Sequence, residues 1–281
     1  MKEIALNLGP EGNLVAIITL PKVMKPVALL ILNAGVIHRV GPYRSSVKLA
    51  RYMAAQGFAA IRLDLSGLGD SRPPGRALPF REQAIRDVQA AMDYLEREHQ
   101  LSAFGVYGIC GGAVNAYWAA LEDERIAAVF MMDGYAYPTL KSSALQFAER
   151  LRTLSVHRIP AILGRQALRL LPAGRLEHAA GKLADVRLTP PTREEFGANL
   201  ERLVDRGVRV TFLYSGSGYR DYYCYPDQLR DAFSHYRFPR RVGCHYVPFI
   251  DHLVTTRSSQ RALFSLVGEW MSSLSEHAAT L

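Results

Sequence analysis

The chain has 281 residues, 49% of them hydrophobic, and a formal net charge of +8. That length and apolar share can bury a sizeable core and exclude a disordered chain, while three cysteines without a C-x-x-C pair exclude a disulfide framework and a cysteine zinc site. The positive charge is scattered and comes without a nucleic-acid-binding motif; with no apolar signal-peptide core and no membrane-length apolar run, a cytoplasmic setting is expected, with no nucleic acid and no membrane span.

Residues 4–8 and 14–20 alternate apolar and polar, with Gly9-Pro10-Glu11-Gly12 between them, which is a hairpin signal. Residues 27–32 form a continuous apolar run, as expected of a strand buried on both faces. Residues 47–56 have helical spacing, with Leu49, Tyr52 and Met53 on one side and Gly57 as a stop. A strand pattern over 58–63 and a long amphipathic helix over 81–98 follow. Strands are then predicted at 103–107, 127–132, 208–214 and 243–249, with a helix opening near Pro226 and a C-terminal helix from about Thr256 to Ser273. An antiparallel start followed by strand–helix alternation predicts a mixed, mostly parallel sheet with helices on both faces. Residues 136–206 break this rhythm. They read as helical, rich in leucine, alanine and arginine, and are expected to form a cap over the strand ends, inserted into a core made of 1–135 and 207–281.

The run Val106-Tyr107-Gly108-Ile109-Cys110-Gly111-Gly112-Ala113 reads as a strand, a tight turn and a helix start with a thiol at its centre. A small residue on either side of a reactive side chain is what a sharp strand-to-helix turn needs, because bulk there meets neighbouring backbone. The pattern resembles the nucleophile elbow of the α/β-hydrolase superfamily, with Cys110 where most members carry serine. The segment Asp64-Leu65-Ser66-Gly67-Leu68-Gly69-Asp70-Ser71 is similar to the D-x-x-G-x-G-x-S loop that follows the fourth strand in that superfamily. The body of the chain looks like the serine-aminopeptidase-like or exosortase-associated hydrolases, and dienelactone-hydrolase-like enzymes share a cysteine elbow. The resemblance implies an α/β-hydrolase fold, with a mostly parallel eight-stranded sheet and a helical cap insertion.

It also implies a set of roles. Cys110 is the candidate nucleophile, reactive as thiolate at a helix N-terminus. His252, after an apolar strand, is the candidate base. The amides of Gly111 and Val36 are the candidate oxyanion donors, the second from the loop Asn33-Ala34-Gly35-Val36-Ile37-His38, which keeps the family's glycine but not its usual histidine. For the acid, Asp221 is favoured by its spacing to Pro226, and Asp133, at the end of the sixth strand, is the alternative. Asp251, beside His252, is expected to shape a turn. His38 and Tyr135 are candidate substrate contacts. Neither a metal nor a cofactor is expected.

Two catalytic outcomes follow. Cys110 could form a thioester acyl-enzyme that water cleaves, giving an esterase or thioesterase. The same intermediate could pass its acyl group to another acceptor, giving an acyltransferase or cyclising enzyme. The acyl donor could then be linked to coenzyme A or a carrier protein and met by Arg150, Arg152, Arg158, Arg165, Arg169 and Arg175 of the cap. A non-catalytic small-molecule binder on the same fold is the third reading. A second copy of the chain is a further candidate partner.

Overall fold

The computed structural model describes residues 1–76, 78–153, 190–217 and 223–278. Its centre is an eight-stranded sheet made of β1 (Lys2–Leu8), β2 (Leu14–Leu20), β3 (Val27–Ile31), β4 (Ala59–Leu63), β5 (Ala103–Ile109), β6 (Ile126–Met132), β7 (Arg209–Ser217) and β8 (Gly243–Asp251). The strand order is β1-β2-β4-β3-β5-β6-β7-β8. Only the β1–β2 and β2–β4 pairs are antiparallel; from β4 to β8 every pair is parallel. This is the α/β-hydrolase fold with β2 as the single reversed strand.

Helices cover both faces. On one side lie α2 (Phe80–His99), α3 (Gly111–Glu122) and, later in the chain, α5 (Arg193–Asp205). On the other lie α1 (Ser45–Ala55) and the C-terminal α7 (Arg257–Ala278). The strand period of two decides which side chain goes where. In β3, Ala28 and Leu30 join the core under α2 and α3, while Val27, Leu29 and Ile31 join the core under α1 and α7. Both faces are dry, which is why β3 reads as an unbroken apolar run instead of alternating. Gly105 in β5 has a packing reason: a Cβ there would press within 2.9 Å of Met271 and Trp270 on α7. The C-terminal helix extends to Ala278, further than the sequence spacing indicated, with Leu274 still buried.

The segment 136–206 is described at its two ends. α4 (Leu140–Thr153) opens it with Leu140 and Phe147 exposed. α5 closes it and contributes to the core: Phe196, Leu200, Leu203 and Val204 are buried against the sheet. Their spacing of four, seven and eight residues is that of a core-facing helical stripe. Thr192 caps this helix, its side chain accepting from the Glu195 amide at 3.1 Å. A short helix, α6 (Gln228–Ala232), begins two residues beyond Pro226. None of the helices in the described residues is long and apolar enough to cross a membrane.

Candidate active site

The strand ends of β5, β6 and β8 converge on one thiol. Cys110 follows β5 directly and has φ 54 and ψ −118, a backbone state that β-carbon-bearing residues rarely hold. Two contacts pin the turn: the Cys110 amide donates to the Met132 carbonyl at 2.9 Å, and the Val114 amide donates to the Cys110 carbonyl at 3.2 Å. The flanking glycines are sterically required. A Cβ on Gly108 would overlap the backbone of Gly112 and Ala113, and one on Gly112 would overlap the Asn33 carbonyl oxygen. Cys110 thus stands at the N-terminus of α3, where unpaired amides and the helix dipole favour an anion.

His252 follows β8. Its ring hydrogen-bonds Cys110 on one side and, through Nδ1, Asp133 Oδ2 at 2.8 Å on the other. Asp133 terminates β6 with φ 48 and is almost fully buried. Its carboxylate also accepts from the Ser215 amide at 2.8 Å and the Ser215 hydroxyl at 2.7 Å. Those donors fix the carboxylate so that one oxygen faces the imidazole. The hydrogen bonds to Asp133 and then to Cys110 outweigh the cost of burial and raise the His252 pKa to about 9. At neutral pH the ring is therefore an imidazolium beside the thiol, the arrangement that stabilises a thiolate.

The loop after β3 closes the other side. Ala34 to Ile37 is a tight turn, the Ile37 amide donating to the Ala34 carbonyl at 3.1 Å, with Gly35 at φ 59. Gly35 packs on the elbow so closely that a Cβ on Gly111 would lie 3.1 Å from its Cα. Among the described residues, the amides of Val36 and Gly111 have no hydrogen-bond acceptor. Two donors left open beside a nucleophile are what a developing oxyanion needs.

A model of the family described as serine aminopeptidase, S33, matches residues 24–214. The chain belongs to that family. This α/β-hydrolase family member resembles several solved structures across nearly its whole length. One is a hypothetical protein from Pseudomonas aeruginosa (TM-score 0.61, 17% identity, 97% of this chain and 92% of that one). Another is the siderophore hydrolase EstB from Aspergillus fumigatus (TM-score 0.59, 14% identity, 98% of each chain). The Pyrococcus furiosus esterase PF2001 is a third (TM-score 0.59, 13% identity, 97% and 90%). At such identities the likeness is one of fold. In sequence, the uncharacterized protein YcjY from Escherichia coli (strain K12) is 34% identical over 82 residues, which are 28% of this chain and 27% of that protein.

For this hydrolase-family chain, the structure brings Cys110, His252, Gly111 and the Val36 loop to one place, with Asp133 behind the histidine. Asp221, the acid favoured by spacing, lies outside the described residues. The imidazole nitrogen that an orienting acid engages is already held by Asp133. Tyr135 is a core residue: its ring packs edge-on against Tyr117 and Phe196, and its hydroxyl accepts from the Trp118 indole at 3.2 Å. His38 is half-exposed and points to Asp70 at 3.1 Å. Asp251 shapes the turn after β8, accepting from the Leu253 and Thr255 amides. The side chains of the six cap arginines are outside the described residues.

Proposed function

We propose that this protein is a cysteine-dependent hydrolase of esters or thioesters, with Cys110 as nucleophile, His252 as proton shuttle and Asp133 as the acid that orients it. The observation that carries this reading is the position of His252, hydrogen-bonded to the elbow thiol on one side and to a buried carboxylate on the other.

In the first half-reaction the Cys110 thiolate adds to the substrate carbonyl carbon, and the carbonyl π electrons move to oxygen. The amides of Val36 and Gly111 receive that oxyanion. Collapse re-forms the carbonyl and expels an alkoxide or thiolate, which takes the proton from the His252 imidazolium. The neutral imidazole then accepts a proton from water as the water oxygen attacks the thioester carbon. A second collapse releases the acid and returns the thiolate. Asp133 holds the ring in the tautomer and orientation that both transfers need.

The test is incubation with p-nitrophenyl acetate, an acyl thioester and an aminoacyl p-nitroanilide, followed by intact-protein mass measurement. A single acyl group on Cys110 that clears in water supports the hydrolase reading. An adduct that persists until an alcohol, amine or thiol is added turns the enzyme into an acyltransferase. No adduct and no turnover, with Cys110→Ala equal to wild type, defeats both and leaves a binding protein.

A further inference from the structure

A partly buried ion cluster beside the Ala34–Ile37 turn ties down the loop that carries Val36. Asp64, fully buried at the end of β4, has its carboxylate surrounded by donors from the oxyanion loop. Oδ1 accepts from the Asn33 side-chain amide at 2.8 Å and from the Arg39 backbone amide at 2.6 Å. Oδ2 accepts from the Arg39 guanidinium at 2.5 Å and from the Asp70 amide at 3.1 Å. Asn33 also donates to the Ile37 carbonyl at 2.9 Å and accepts from the Leu65 amide at 2.9 Å. The loop that carries Val36 is therefore held at both ends, by Asn33 and by Arg39, to one carboxylate.

The guanidinium fills the space between one histidine and two carboxylates. His38, Asp64 and Asp70 direct ligand atoms to within 4.8 Å of one another. Arg39 Nη1 lies between them, 2.5 Å from Asp64, 2.8 Å from Asp70 and 2.9 Å from His38 Nε2. On its other side the His38 ring is held by the Val40 amide, 3.2 Å from Nδ1, while Nε2 lies 3.1 Å from Asp70. The cluster's positive charge is thus built into the chain.

We propose that Arg39 is a positioning residue for the oxyanion hole: by bridging Asp64 and Asp70 it fixes the 33–39 loop so that the Val36 amide faces the carbonyl oxygen of a substrate held at Cys110. The proposal rests on the acyl-enzyme reading above. Arg39 touches no reacting atom in it. Arginine suits the role because its planar fork can engage two carboxylates at once, which a lysine ammonium on a flexible stem does less well.

The chemistry offers a readout that separates positioning from general damage. Acylation of Cys110 by p-nitrophenyl acetate needs an oxyanion hole; alkylation by iodoacetamide needs the thiolate alone. In Arg39→Gln, the acylation rate is expected to fall about 10- to 100-fold, a fraction of what loss of an oxyanion donor costs, while the alkylation rate stays within about twofold of wild type. Arg39→Lys, which keeps the charge opposite Asp64, is expected to lose less and serves if the glutamine variant does not fold. Acylation at the wild-type rate in the variant that folds overturns the role of Arg39, and so does a parallel fall in acylation and alkylation. Wild-type protein that alkylates but never acylates overturns the acyl-enzyme reading itself, and the role of Arg39 with it.

Discussion

Asp133 and His252 lie 119 positions apart and meet at 2.8 Å, the aspartate at the end of β6 and the histidine just past β8. Between them in the sheet runs β7, whose Ser215 gives the carboxylate two further hydrogen bonds. The acid is thus bound into the sheet itself. Asp133→Asn should lower kcat/KM by about 10²- to 10³-fold, less than the ~10⁴-fold of a serine triad because a thiol ionises without strong help. Asp221→Asn should change it by less than about threefold. Steady-state kinetics on p-nitrophenyl acetate checks both, and the reverse ranking restores Asp221 as the acid.

The His252 pKa of about 9 fixes the sign of two pH effects. Catalytically, the thiolate–imidazolium pair is lost when the ring deprotonates, so kcat/KM and the iodoacetamide rate-enhancement over a free thiol should decline as pH passes about 9. Thermodynamically, the folded pKa lies above the unfolded value of 6.5. The stability that His252 contributes is therefore fully present below about pH 6.5 and fades as pH rises through about 9. Urea unfolding of wild type and His252→Gln should show a stability gap at pH 6 that narrows by pH 9.5. A gap that widens instead would contradict the assigned shift.

The three glycines of the elbow should respond differently to alanine. At Gly108 and Gly112 the new methyl meets backbone atoms of other segments, which cannot rotate away. Each substitution should cost about 3 kcal/mol or more, or prevent folding. At Gly111 the methyl would meet Gly35 of the oxyanion loop at 3.1 Å. Here the fold should survive within about 1 kcal/mol, while acylation falls about 10- to 100-fold because the loop must shift. Thermal melts alongside ester kinetics separate the two outcomes.

These contrasts also mark what the sequence made legible. The elbow could be read because its requirement is local: within five adjacent residues, the positions flanking the thiol must be small enough for the chain to turn. The strands could be read because a sheet covered on both faces leaves apolar runs such as 27–32. The acid was not legible in the same way. Asp133 directly follows a strand pattern and Asp221 lies in the loop after the next one, and choosing between them needs the order of β6, β7 and β8, which pairs residues far apart in sequence. The place of α5 on the sheet was not legible for another reason. An amphipathic helix that packs on a sheet has the same periodicity as one that packs on a lid. The signal that was available was Thr192-Arg193-Glu194-Glu195, a capping-box pattern that starts a separate helix, followed by Phe196, Leu200 and Leu203 on one stripe. Arg39 carried no signal, since a lone arginine in a loop reads as solvated until its two carboxylates are seen around it.

The thiol in a serine-type elbow invites the exchange Cys110→Ser, and the shift at His252 predicts its outcome. On the proposed mechanism the working pair in the wild type is thiolate and imidazolium, so the histidine's deprotonation ends activity on the alkaline side. A serine hydroxyl cannot ionise beside an imidazolium; it needs the neutral ring as a base. The limb set by His252 should therefore reverse, with activity rising as the ring loses its proton. Part of the upward shift comes from Cys110 itself. With that contribution gone, the midpoint in the variant should fall between 6.5 and about 9. Ester hydrolysis by Cys110→Ser, measured from pH 5 to 10, is expected to be weaker than wild type near pH 7 and to rise towards pH 9, where the wild type declines. Parallel profiles for the two proteins would mean that His252 is not the group that exchanges protons with the nucleophile.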